Sequence, residues 1–211
     1  MPKVAITIAR QYGSGGREIG ERVAELLGVK TYDKEFVTLA AQDDETVSEE
    51  ALRKVDERAT SSLLYTLAMG SNLFGLSAGH SPVLPLNDKL FVKQSNLIRE
   101  IAERESCVLI GRCADYVLRE CPDRLSVFIY ADIDDRKNRV AERHSVSKTE
   151  ALELINKTDR RRASYYNFYT GGKWGKYDNY HIAINSSVLG MEGTARLIAD
   201  MARIKMEENK D

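Results

Sequence analysis

The pattern of apolar and polar positions changes period several times along the chain, and each change marks an element. Residues 3–9 are a nearly unbroken apolar run with the β-branched side chains Val4, Ile6, Thr7 and Ile8, which predicts a strand covered on both faces. From 16 to 28 the period becomes helical, with Ile19, Val23, Leu26 and Leu27 on one face and Gly28 as the stop. Residues 29–32 predict a short second strand, and 34–42 a helix. Further on, 89–105 read as a helix, 106–110 and 125–130 as buried strands, and 133–144 and 147–168 as helices. Residues 180–185 read as a last strand and 190–207 as a closing helix. Apolar strands alternating with helices predict an α/β protein built on a doubly wound parallel sheet with right-handed crossovers. Such sheets bind ligands beyond the carboxyl ends of their strands. The segments after the first three core strands are therefore where chemistry is sought.

The stretch 43–90 breaks the alternation. A polar start at 43–48 leads to a helix near 48–69, with Leu52, Val55, Ala59 and Leu63 on its inner face. A Gly/Ser/Pro/Asn-rich segment follows from 70 to 88, and irregular segments of such length are usually functional or disordered. The pattern predicts a helical insertion on the parallel core. The apolar run Tyr65, Leu67, Met69, Leu73, Phe74 and Leu76 leaves three uses open: core, the interface of a homo-oligomer, or a cap.

Composition narrows the function classes. The chain has 211 residues and a formal net charge of −1, which fits one domain and gives no bulk attraction to nucleic acid or an acidic membrane. No apolar run is long enough to span a bilayer, and the first strand begins without a secretory signal pattern. Cys107, Cys113 and Cys121 lack metal-ligand spacing and read as the reduced thiols of a cytoplasmic protein.

The candidate chemistry begins where the first strand ends. Gly13-Ser14-Gly15-Gly16 joins a buried strand to a helix, the order of a loop whose backbone amides and helix dipole hold an anion. The common form of that loop is G-x-x-x-x-G-K-[ST]. In this frame Arg10 stands for the first Gly, Gly15 for the second, Gly16 for the Lys and Arg17 for the hydroxyl residue. Arg17 is spaced to supply the lost charge, since guanidinium forks onto phosphate oxygens. On these residues alone the loop is a phosphate site or a plain turn. Asp33 closes the second strand and suits a magnesium-bound water, a ribose hydroxyl or a helix cap. Arg112, after Gly111, suits an acceptor phosphate or an ion pair. Residues 133–176 carry eleven Lys/Arg against six Asp/Glu. Arg136, Arg139 and Arg143 share one helical stripe; Lys157, Asp159, Arg160, Arg161 and Arg162 follow. Two arginine-rich helices meeting at 144–147 predict a hinged lid that closes over a transferring phosphoryl group. Residues 170–176 read as a basic flap or a simple connection.

Taken together, Ile8-Ala9-Arg10-Gln11-Tyr12-Gly13-Ser14-Gly15-Gly16-Arg17-Glu18-Ile19-Gly20, Tyr32-Asp33-Lys34-Glu35, Val108-Leu109-Ile110-Gly111-Arg112-Cys113-Ala114-Asp115-Tyr116 and Lys157-Thr158-Asp159-Arg160-Arg161-Arg162-Ala163-Ser164-Tyr165-Tyr166 resemble the cytidylate kinase-like family, a branch of the P-loop nucleoside monophosphate kinases. The resemblance implies a P-loop kinase fold with a three-layer, doubly wound parallel sheet. It implies one domain over 1–211, with a core at 1–42, 106–132 and 177–211, a helical acceptor-binding insertion at about 43–90 and an arginine-rich lid at about 133–176. It also implies that Gly13, Ser14, Gly15, Gly16, Arg17 and Glu18 hold the donor phosphates, and that Asp33, Arg112 and Asp159 serve the acceptor. Arg17, Arg136, Arg139, Arg160, Arg161 and Arg162 would meet the charge of the transferring group. The implied reaction moves the γ-phosphoryl of ATP, or another nucleoside triphosphate, with Mg²⁺, to a nucleoside monophosphate, CMP first. Small nucleotides are then the partners, with neither nucleic acid nor membrane. The chain departs from the family pattern at Gly16, at Arg17 and at Cys113, where the family's Gly-Arg-Asp has its Asp. Tyr32-Asp33-Lys34-Glu35 also lacks the small-residue pattern that reads the acceptor nucleotide. These departures keep a second reading open, a nucleotide- or phosphometabolite-binding protein without turnover.

Overall fold

The central strand β1 (Ala5–Arg10) is apolar through Ala9 because both its faces are covered. The computed structural model describes residues 3–33 and 86–208. The predicted helix at 34–42 and the insertion up to residue 85 lie outside the described residues. β1 lies in a five-stranded parallel sheet with β2 (Lys30–Tyr32), β3 (Cys107–Ile110), β4 (Arg124–Tyr130) and β5 (Ile182–Asn185), in the order β2-β3-β1-β4-β5.

Strand alternation divides the core into two layers. Ile6 and Ile8 of β1, Val108 and Ile110 of β3 and Val127 and Ile129 of β4 face one side. There they meet Ile19 and Val23 of α1 (Gly16–Leu27) and Ala195 and Ile198 of α6 (Ser186–Glu208). Ala5, Cys107 and Leu109 face the other side, against Ile98 and Ile101 of α2 (Leu86–Arg104) and Ala114 and Val117 of α3 (Ala114–Val117). Each fully buried isoleucine contributes about 1.5–3 kcal/mol of transfer free energy. Among the described residues, no helix is long and apolar enough to cross a membrane.

α4 (Ile133–His144) and α5 (Lys148–Thr170) pack on each other through Val140, Ala151 and Ile155. The turn between them is fixed by a reciprocal capping box of Ser147 and Glu150. The far half of α5 is docked on the core. Tyr169 stacks on Phe91 of α2 with ring centroids 4.1 Å apart, and Tyr166 donates a 2.8 Å hydrogen bond to the Asp115 carboxylate of α3.

Several boundaries differ from the sequence expectation. α3 follows the Gly111–Cys113 turn, a feature too short for periodicity to reveal. α6 begins at Ser186 and breaks at Gly190 (φ 66°, ψ 178°), so the apolar period from 190 marks only its longer piece. β5 begins at Ile182 because a 3₁₀ turn at Tyr177–Asn179 precedes it and Tyr180 packs on Phe128 at 5.0 Å. Residues 170–176 form a packed connection. Gly171 closes α5 in the left-handed region, the Trp174 amide donates to Asn167 Oδ1 at 2.8 Å, and the indole lies edge-on to Phe128 at 5.5 Å.

The topology fixes where a ligand binds. α1 leaves β1 toward one face, while α3 leaves β3 toward the other. The crevice between the ends of β1 and β3 is the switch point of the sheet.

Candidate active site

The loop Arg10–Gly15 sits at that crevice with its carbonyl groups held by hydrogen bonds. Arg162 Nη1 donates to Arg10 O at 3.0 Å, and Ser14 Oγ to Gln11 O at 2.9 Å. Arg136 Nε donates to Tyr12 O at 2.8 Å, and Arg139 Nη1 to Gly13 O at 3.0 Å. Ser186 Oγ donates to Ser14 O at 2.7 Å. Asp159 bridges the arrangement: its Oδ1 accepts the Tyr12 amide at 2.8 Å and its Oδ2 pairs with Arg136. The loop then enters α1 at Gly15, whose φ of 77° is open to glycine and which supplies no side-chain cap. The first intrahelical bond runs from the Ile19 amide to Gly15 O, so the amides of Gly16, Arg17 and Glu18 are the open donors of the helix.

Arg10 and Gly16 have exchanged the roles of the common loop. A Cβ at Gly16 would lie 2.5 Å from Arg10 Cβ, so a side chain at 16 is excluded by the arginine across the loop. The cation that a lysine at 16 would bring enters instead from position 10. Arg10 lines a cavity of about 610 Å³ together with Arg17, Arg112, Arg143, Arg161 and Arg162. Three carboxylates, Glu18, Glu21 and Asp33, share that lining, which leaves a surplus of positive charge over the helix terminus.

Arg112 reaches the cavity through a turn with a cost. Gly111, Arg112 and Cys113 have φ of 76°, 57° and 54°. Each non-glycine residue in this left-handed region is disfavoured by roughly 1–2 kcal/mol, and such outliers persist where function requires the direction they give. Cys113 is buried against Tyr165 and Tyr166, a wall position. Beneath this turn lies Asp115, 4 % exposed. Burial pushes its carboxyl up to about 6, against the opposing hydrogen bond from Tyr166.

The other sequence candidates separate into groups. Arg17 is half-exposed at the cavity mouth, 3.0 Å from Glu21 and 3.4 Å from Asp33. The Glu21 hydrogen bond, with the charge of Asp33 behind it, raises its pKa further. Asp33 lies between Arg17 and Arg10, the latter at 3.9 Å. Glu18 pairs with Arg143. Gly13 approaches α4 so closely that a Cβ would meet Arg136 O at 2.9 Å. Ser14 is fully buried. Arg161 and Arg162 line the cavity; Arg136, Arg139 and Asp159 grip the loop from behind, and Arg160 is exposed away from the lining. Sequence reasoning missed Arg10, Gln11, Tyr12, Glu21, His144 and Thr158 in the lining. Tyr12 holds His144 Nε2 at 2.6 Å through its hydroxyl. The readable signal for Arg10 was the simultaneous exchange at 10 and 16.

The sequence profile of the cytidylate kinase-like family matches residues 5–188. No curated protein matches. Among solved structures, the chain is similar to an uncharacterized protein from Eubacterium ventriosum ATCC 27560, at 27 % identity and a TM-score of 0.71, over 95 % of this chain and 99 % of that one. It is also similar to a shikimate kinase from Bacteroides thetaiotaomicron, at 13 % identity and a TM-score of 0.53, over 95 % and 98 %. Likeness at that identity carries the fold alone, and the fold is that of the P-loop kinases.

Proposed function

Since this chain belongs to the cytidylate kinase-like family, we propose that it moves the γ-phosphoryl group of a nucleoside triphosphate, ATP first, to the phosphate of a nucleoside monophosphate, CMP first. Family and fold together support a kinase-type phosphotransferase. The observation that carries the finer reading is the arginine-lined cavity over the uncapped N-terminus of α1.

In this reading the α1 amides and Arg10 hold the donor phosphates. Arg112, aimed by its strained turn, holds the acceptor phosphate. Arg17, Arg143 and Arg161 neutralise the equatorial oxygens as the phosphoryl passes between them. Phosphoryl transfer demands positioning and charge stabilisation above all. The acceptor oxygen is already anionic, so no general base is needed. The bond from the γ-phosphorus to the bridging oxygen breaks, a bond to the acceptor oxygen forms, and the donor leaves as a diphosphate.

Magnesium is the cofactor this class of reaction implies, and the described residues fit it poorly. Arg17 stands where a metal-binding hydroxyl would be, and the two oxygens of Asp33 each face an arginine. Among the described residues no group of three or more His, Cys, Asp or Glu side chains is placed to hold a metal ion.

The test is a product assay. The protein is incubated in magnesium buffer with ATP and, separately, CMP, UMP, AMP, GMP or dCMP, and the diphosphate products are separated and quantified. A diphosphate of one acceptor supports the reading. ATP-dependent thermal stabilisation with no product in any mixture replaces it by the binding protein.

A further inference from the structure

The loop carries five consecutive carbonyl groups, from Arg10 to Ser14, each with a donor. Three of those donors are arginines of α4 and α5. A carbonyl and the amide of the same peptide plane point in opposite directions. The amides of these planes divide: those of Gln11, Tyr12 and Ser14 bond Ile129 O, Asp159 Oδ1 and Gln11 O and so set the course of the loop, while those of Gly13 and Gly15, in the planes of Tyr12 O and Ser14 O, are left to the cavity that both glycines line. Arg139 spends Nη1 on Gly13 O. Arg136 spends Nε on Tyr12 O and Nη2 on Asp159. Neither arginine lines the cavity.

We propose that Arg136, Arg139 and Asp159 are positioning residues that act on the phosphate loop and not on the substrates. They shape the backbone amides into an anion site from behind, while Arg10, Arg112, Arg143 and Arg161 face the ligand. This inference rests on the assignment of the loop as the donor site.

The experiment uses the full chain and the variants Arg139→Met, Arg139→Lys and Arg136→Lys. ATP affinity is measured by calorimetry, turnover at saturating ATP, and amide hydrogen exchange at residues 13–18 without ligand. Arg139→Met is expected to weaken ATP binding about tenfold or more, to speed exchange in the loop, and to leave saturated turnover within about threefold. Arg139→Lys is expected to recover binding, because one ammonium donor serves one carbonyl. Arg136→Lys is expected to fail, because lysine cannot repeat the fork to Tyr12 O and Asp159. Turnover that collapses in Arg139→Met, with affinity and loop exchange unchanged, overturns the inference and makes Arg139 a direct contact of the reacting group. If the wild type binds no ATP, the donor assignment falls. The exchange measurement then still decides whether these residues shape the loop.

Discussion

The buried carboxyl of Asp115 supports a quantitative prediction. Its folded-state value of about 6 lies above the ordinary 3.8. Between those values the folded chain holds a proton that the unfolded chain has lost. Stability from this group is therefore fully present below the unfolded value and is lost as pH rises through the folded one. At about 1.36 kcal/mol per unit, the loss amounts to about 3 kcal/mol between acid and neutral pH. Asp115→Asn keeps an oxygen to accept the Tyr166 hydroxyl and cannot ionise. The variant should therefore gain on the wild type as pH rises, by about 2.4 kcal/mol from pH 4 to pH 7 apart from a constant offset. In a chain of 211 residues that is roughly 5–10 °C in melting temperature. Urea denaturation or thermal melts of both proteins across this range measure it, and the difference between the two curves removes every other titrating group. Two parallel curves, with no pH dependence in their difference, would show that Asp115 ionises as easily folded as unfolded and would refute the reasoning.

Further predictions follow from the same geometry. Gly16→Lys, which rebuilds the common loop motif on paper, should reduce ATP binding at least about tenfold, because its Cβ falls on Arg10; unimpaired binding by calorimetry would contradict the exchange of roles. Asp159→Ala leaves the buried Arg136 without its carboxylate and should cost about 3 kcal/mol in chemical denaturation, the lower end of the range for broken buried pairs; a loss under about 1 kcal/mol would place the pair among weak surface bridges. Arg112→Ala should raise KM for the monophosphate about tenfold or more while ATP affinity holds, read from steady-state kinetics with each substrate varied; a loss of ATP affinity instead would move Arg112 to the donor side. ATP should bind with similar affinity in excess EDTA and in excess magnesium, because Arg17 stands at the position of the metal-binding hydroxyl and Asp33 is paired with arginines; a tenfold loss in EDTA would show a metal contribution that these side chains do not suggest.

The core was legible because its physics is local. The β-branched run at 4–8, the helical stripe of Ile19 and Val23, and Gly28 in the left-handed cap each carry their signal within a few residues. The charge of the site was legible as well: Arg17, Arg112, Arg161 and Arg162 all reach the cavity lining. What those charges meet was harder to read. Helical spacing puts Arg136, Arg139 and Arg143 on one stripe, but the surface opposite them is the loop, more than a hundred residues away in the chain. Two therefore hold backbone carbonyls and the third pairs with Glu18. The Gly111–Cys113 turn was hidden for another reason. Only its first residue is a glycine, so two of its three left-handed conformations have no signature in composition.

The holders of the five loop carbonyls also set an order of assembly. Four of the five come from positions 136, 139, 162 and 186, and none of these is near the loop in sequence. Contacts of such separation form late, after the loop-closure entropy of the intervening chain has been overcome. A chain emerging from the ribosome exposes the loop and α1 early and still has no anion site, since β1 itself waits for β3 and β4 to pair with it. The site closes when α4, α5 and the start of α6 have docked. Nucleotide binding would then report the finished molecule: a fluorescent ATP analogue added during refolding should gain its signal in the slowest phase, together with the packing of the last helix.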